Sequence, residues 1–212
     1  NATLNLNGAT GTLNSGGTVA GGTLAIDNAS GGAFNTGYAG ISGSSFGGTN
    51  VATLDNVRLS GSATVANGGD LRVVGALTLD NGSVTLASDG SSTFLRSTSG
   101  AWSIAGNGAV LFGGSHNAVR ASNYLGYGSG TYSLSIGSGV TVAGSNGGYI
   151  YFGDNGTNAG LIEAVNAGKE ISLNAWSSNS SWTQSGTLHL ANGGQFHIGD
   201  NFINSGVLRG AG

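Results

Sequence analysis

The sequence predicts an all-β chain wound as a right-handed parallel β-helix, a β-solenoid of about nine to eleven coils. Three observations predict it. Thirteen short runs place one small or polar residue between two apolar ones, corners rich in Gly, Asn and Ser separate them, and similar strings recur at fixed offsets.

The runs include Leu4-Asn5-Leu6, Leu24-Ala25-Ile26, Val57-Arg58-Leu59, Leu77-Thr78-Leu79, Val84-Thr85-Leu86, Trp102-Ser103-Ile104, Val140-Thr141-Val142, Ile171-Ser172-Leu173 and Phe196-His197-Ile198. Successive side chains of a strand point to opposite faces, so each run reads as a minimal strand with two residues inward and one outward. Neighbouring runs lie six to eight residues apart, as at 71, 77 and 84, which makes two or three strands per coil. Gly and Asn tolerate the positive φ that tight corners demand. Inward Asn at corners is expected to form hydrogen-bonded ladders along the stack.

The repeat is degenerate but can be aligned. Ser60 to Val73 ("SGSATVANGGDLRV") matches Ser185 to Ile198 at an offset of 125 residues. Asn146 matches Asn192, and Asp154 matches Asp200, each at an offset of 46. If 46 spans two coils, a coil is about 23 residues and 125 spans five or six, within the periods typical of solenoids.

Composition supports an ordered stack. Gly makes up 43 of 212 residues, yet 38% of the chain is hydrophobic and only 7% is charged, the reverse of a disordered chain. Proline, which breaks a ladder paired on both sides, is absent. Cysteine is absent, so a disulfide framework, a thiolate metal site and a Cys nucleophile are excluded. Six basic residues spread along a chain of net charge −3 make no nucleic-acid stripe. No run of apolar residues is long enough for a membrane-spanning helix. Residues 1–212 read as a single solenoid domain that begins in full rhythm and stops mid-pattern, which suggests a slice or a subunit of a longer assembly. Two stretches fit the rhythm poorly, 28–50 and 112–132; each is a loosely patterned coil or a projecting loop. Ala159 to Glu170 is the one place where a turn or two of helix is conceivable.

The strings "INSGVLRGAG", "LTLDNGSVTL" and "GTLNSGGTVAGGTL" resemble the passengers of bacterial autotransporters and the filamentous-haemagglutinin type of two-partner secreted adhesin. The resemblance covers most of the chain and lies in composition and rhythm. It implies a right-handed parallel β-helix, a secreted or cell-surface location, and an adhesive or scaffolding role. Neither a secretion module nor a membrane barrel of that family is present in the sequence.

Chemistry-bearing residues are sparse. Asp154 and Asp200 sit in the repeated "GDN". As a pair on one face they suit an inverting glycosidase, and as single residues they suit turns. His189 and His197 are outward in their runs without carboxylates at ligand spacing, and His116 lies in an irregular stretch. Trp176 and Trp182 bracket "SSNSS" and, with Tyr124 and Tyr127, are the candidate glycan contacts; core anchoring is the competing reading. The outward threonines 64, 78, 85 and 141 are too interrupted for an ice-binding array. A G-x-S-x-G elbow, a phosphate-binding loop and a repeated calcium nonapeptide are missing. The expectation is a structural protein rather than an enzyme, with no metal and no cofactor. The expected partners are further copies, joined end to end, with host or matrix glycans as candidate contacts. The alternative is a polysaccharide-degrading enzyme or a glycan-binding module on the same scaffold.

Overall fold

The computed structural model describes residues 2–7, 12–14, 17–36, 51–97, 100–128, 131–175, 177 and 179–210. They form an all-β solenoid-like body in which every strand pairing is parallel, relieved only by an isolated antiparallel bridge between Ser133 and Gly153 and a 3-10 turn at Asn28–Ser30.

The chain lays strands on three stacks in rotation. The first holds Thr3–Leu6, Thr23–Ile26, 57–60, 76–80, 101–107, Tyr132–Ile136, Gly156–Asn158, Ser181–Gln184 and Asn201–Asn204. The second holds Thr12–Asn14, Ala33–Thr36, Ser62–Val65, 83–87, 108–113, Val140–Gly144, Leu161–Ala164, Thr187–Leu190 and Val207–Gly210. The third holds Thr18–Ala20, 51–55, 70–74, Thr93–Arg96, Asn123–Leu125, Gly148–Tyr151, Glu170–Asn174 and Gln195–Ile198. Some strands turn corners without interruption: Asp70–Ala87 contributes to all three stacks in succession. Nine rungs among the described residues span about 38 Å at the usual strand spacing.

The sequence offsets follow the register. Ser62 reaches Thr187 through Ser83, Ala109, Thr141 and Leu161, five rungs for 125 residues. Thr157 reaches Ile203 through Thr183, two rungs for 46 residues. Coils are unequal, however. Thr157 and Thr183 are 26 residues apart, whereas Thr183 and Ile203 are 20 apart.

Inward residues make one continuous core. Leu59, Leu77, Leu79, Val84, Leu86, Ile104, Val110, Leu134, Val142, Ile150, Ile162 and Leu173 are all buried within it. Every one of the thirteen runs lies in a strand. The stretch 159–170 contains no helix: Leu161–Ala164 is a strand whose Ile162 enters the core, because its side chains continue the two-residue alternation of the rungs on either side.

Corners work as anticipated from Gly and Asn. Asn56, Asn81, Asn155 and Asn192 have φ of 50–57°. Gly106 has φ +84°, and a Cβ there would lie 2.1 Å from the Leu79 carbonyl oxygen of the preceding rung, so the rungs close only around glycine. Asn side chains also tie rungs together. The Asn28 amide donates to the Ser62 carbonyl at 3.2 Å and accepts from the Ser62 N–H at 2.9 Å. Buried Asn123 accepts from the Ser88 N–H at 3.1 Å and donates to the Gly113 carbonyl at 3.1 Å. Such bonds satisfy corner groups that lie outside the strand ladders.

Of the two irregular stretches, 37–50 lies outside the described residues. The described residues of the stretch 112–132 include the strand Asn123–Leu125, whose Tyr124 follows its register partner Phe94 by 30 residues. Phe112 and Tyr132 point inward and are buried, while Tyr124 and Tyr127 stay on the outside.

Candidate functional site

The richest concentration of side-chain chemistry lies on the outer face of the third stack. Its strands keep Leu71, Leu95, Leu125, Ile150 and Leu173 inward. Alternation then turns Arg72, Phe94, Arg96, Tyr124, Tyr149 and Tyr151 outward. In register, Phe94 lies beside Tyr124, and Tyr124 beside Tyr149. Because strands repeat at about the thickness of a tilted aromatic ring, registered rings stack.

Phe94 and Tyr124 have ring centroids 5.1 Å apart, and Tyr124 and Tyr149 are 4.9 Å apart with planes only 6° from parallel. Tyr127, at the corner after Asn123–Leu125, packs 5.5 Å from Tyr124 and meets Tyr151 edge-on at 5.1 Å. Arginines close both ends of the column. The Arg96 guanidinium lies 4.5 Å from the centre of Phe94, and that of Arg120 lies 5.5 Å from the centre of Tyr149. Faces within the column are therefore occupied, and the strip offers mainly ring edges, phenol groups and guanidinium groups to a partner.

Carboxylates anchor the arginines. Asp70, 7% exposed, receives two bonds from Arg96 at 2.9 and 2.8 Å and one from Arg72 at 3.1 Å. Arg120 pairs with Glu170 at 3.2 Å. Three of the chain's six basic residues thus frame the strip, with two acids beside them. Burial, then the neighbouring phenols, pushes the hydroxyls of Tyr124 and Tyr151 above the usual phenol pKa.

The residues singled out from sequence fall in different places. Trp182 is fully buried, with its ring 4.4 Å from Phe152 and 4.7 Å from Phe202, so it anchors the core and its faces are closed to a sugar. The glycan-contact reading does not hold for it, because alternation along Ser181–Gln184 carries the indole inward. Trp176 lies outside the described residues. Tyr124 and Tyr127 belong to the strip. Tyr149, Tyr151 and Phe94 were missed by sequence reasoning. A usable signal existed, since Tyr149 follows Tyr124 by 25 residues, close to one coil.

Asp154 and Asp200 occupy equivalent corners two rungs apart, about 9–10 Å along the axis. Asp154 accepts a hydrogen bond from the Ser180 hydroxyl on the intervening corner. Its own N–H bonds the Tyr132 carbonyl at 2.8 Å. Asp200 is exposed with φ 61°, in the left-handed region that corner residues such as Asn and Asp tolerate. His189 lies on the outside of the second stack with Nδ1 3.0 Å from Glu163 on the preceding rung, and His197 is exposed beside Ser172.

Among the described residues no group of three or more His, Asp or Glu is placed to hold a metal ion. The space beside Gly144, Asn166 and Lys169 is about 10 Å³, room for one water. No helix of the described residues is long and apolar enough to cross a membrane. No family model matches the chain, and neither a curated protein nor a solved structure does.

Proposed function

We propose that this chain is a structural rod of the bacterial cell surface or extracellular space: a right-handed parallel β-helix with an adhesive or fibre-forming role and no catalytic role. The observation that carries the reading is the parallel pairing of the described strands in three stacks around one core. Ladders satisfied rung by rung resist bending and local opening, and a surface poor in charge and rich in Ser, Thr and Asn suits an inert stalk. The right-handed sense rests on the near-universal hand of crossovers between parallel strands.

End-to-end association is part of the proposal. The rung from Gln195 to Gly210 leaves Ile198, Val207 and Leu208 at 39%, 50% and 57% exposure. Further parallel strands in register would cover it, whether of the same polypeptide or of a second copy. Electron microscopy over a concentration series tests this. Rods that lengthen with concentration support head-to-tail assembly; rods of one fixed length at every concentration reject it.

Glycan contact is a second reading, favoured by the aromatic and arginine groups collected on one outer strip. Phenol and guanidinium groups would hydrogen-bond a polyhydroxylated chain along the rod. Binding to a glycan array that survives Tyr149→Ala and Tyr124→Ala rejects that strip as the contact.

A further inference from the structure

We infer that the tyrosine column of the third stack is an oxidative cross-linking site, in which Tyr124 and Tyr149 join through a carbon–carbon bond between neighbouring rungs. Four phenols gather there: Tyr124 and Tyr149 at 4.9 Å, Tyr124 and Tyr127 at 5.5 Å, Tyr127 and Tyr151 at 5.1 Å, and Tyr149 and Tyr151 at 6.2 Å. Tyr124 and Tyr149 are register partners on adjacent strands, and their rings are opposed face to face within 6° of parallel. Tyr127 and Tyr151 meet at 69°, edge to face. The opposed pair is held by the backbone ladder below it and by Phe94 and Arg120 at its two ends. All four tyrosines are partly exposed, so a small oxidant reaches them.

The chemistry balances with a one-electron oxidant such as a peroxidase fed with hydrogen peroxide. Each phenol gives up one electron and one proton to become a phenoxyl radical. The two radicals form one bond between ring carbons ortho to oxygen, and each coupled carbon then transfers its hydrogen to its own oxygen, restoring two phenols. The protein loses two hydrogen atoms in total, and one peroxide becomes two waters. The product is a biphenol bridging residues 25 apart in sequence, a covalent rung beside the hydrogen-bonded one. Pre-positioning favours this pair over encounter with a second molecule, because a held neighbour acts at a far higher effective concentration. The inference is independent of the rod's cellular role.

The test is to treat dilute, folded protein with peroxidase and hydrogen peroxide and to read dityrosine fluorescence and intact mass. Blue emission in the monomer fraction is expected, with a mass lower by two hydrogens. Tyr124→Phe and Tyr149→Phe keep the stacked ring and remove the phenol; each is expected to cut the monomer signal about tenfold. The double variant Tyr127→Phe/Tyr151→Phe is expected to retain most of it. No dityrosine, dityrosine confined to dimers, or an undiminished monomer signal in Tyr149→Phe would each overturn the inference. Circular dichroism of every variant establishes that its rungs are intact.

Discussion

The first and third stacks are built from the same parallel strands with alternate residues turned inward, yet they carry opposite outer faces. On the first, Ser103, Ser135, Thr157 and Thr183 follow one another in register, small hydroxyls that add little beyond a bond such as the 3.2 Å contact from Thr157 to Ser135. On the third, the equivalent outward column is Phe94, Tyr124 and Tyr149, capped by arginines. Inward positions on both are buried, aliphatic at Leu77, Ile104 and Leu134 of the first and at Leu71, Leu95 and Leu125 of the third, with Trp102 and Trp182 also inward on the first. The difference teaches that the solenoid fixes every second residue to build the shaft and leaves the alternate ones free to vary. Specific chemistry is therefore to be sought among outward residues that stack, in register, across rungs.

Breaking the shared part is expected to cost most. Trp182→Ala removes a fully buried ring from between Phe152 and Phe202 and should lower stability by about 3–5 kcal/mol, read from the denaturant midpoint. A loss no larger than that of an outward residue would show that the inward column is not a core.

Next in size is the anchor beneath the aromatic strip. Asp70→Asn leaves Arg96 without its carboxylate in a site whose side chains are 10% and 17% exposed, and about 2 kcal/mol of destabilisation is expected. Arg72→Ala should cost less, since that side chain is 36% exposed. Equal losses in the two variants would contradict the assignment of Arg96 as the principal partner.

Alkali probes the phenols of the third stack; Tyr132 of the first stack, whose hydroxyl pKa burial also raises, is common to parent and variant. Burial and neighbouring phenols raise the folded pKa of Tyr124 and Tyr151 above the ordinary 10.0, so the folded chain favours the neutral phenols. Their contribution is intact below pH 10 and is lost as pH rises through the folded values, because the unfolded chain ionises first. A titration of thermal midpoint upward from pH 9 should fall steeply in the parent and less steeply in Tyr124→Phe/Tyr151→Phe.

The smallest effect is the most direct comparison of the outer faces. Tyr149→Ala forfeits ring contacts worth about 1 kcal/mol, whereas Thr157→Ala should stay within about 0.5 kcal/mol of the parent. Indistinguishable values would mean that the column on the third stack contributes no more than the hydroxyls on the first.

A plan of two or three strands per coil was legible because inward Leu, Val and Ile alternate with small or polar outward residues, as in Val84-Thr85-Leu86. Where that contrast fades, strands escaped notice. Thr93–Arg96 reads as Phe94-Leu95 in succession, since an outward slot carries an aromatic ring. Gly156–Asn158 and Ser181–Gln184 carry polar residues inward at their ends, where the Asn158 amide donates to the Gln184 side chain at 2.7 Å. A search for apolar pairs cannot find an internal amide ladder. The strip was half visible: Tyr124 and Tyr127 stood out in a poorly patterned stretch, but Tyr149 and Tyr151 lie in a regular strand. Only the register between rungs shows that they meet. Trp182 stayed open between glycan contact and core anchoring for a related reason, because composition alone does not say which face of a strand a bulky residue takes.

The central claim is that residues far apart in sequence lie at fixed heights on one stack. The chain has no cysteine, so labels at Ser62→Cys and Thr187→Cys would be unique. Pulsed electron–electron resonance between spin labels at these two outward positions, 125 residues and five rungs apart, should give one narrow distribution centred at about 24 Å plus the label arms. A broad distribution, or a centre far from that height, would contradict the stacked register on which the whole account rests.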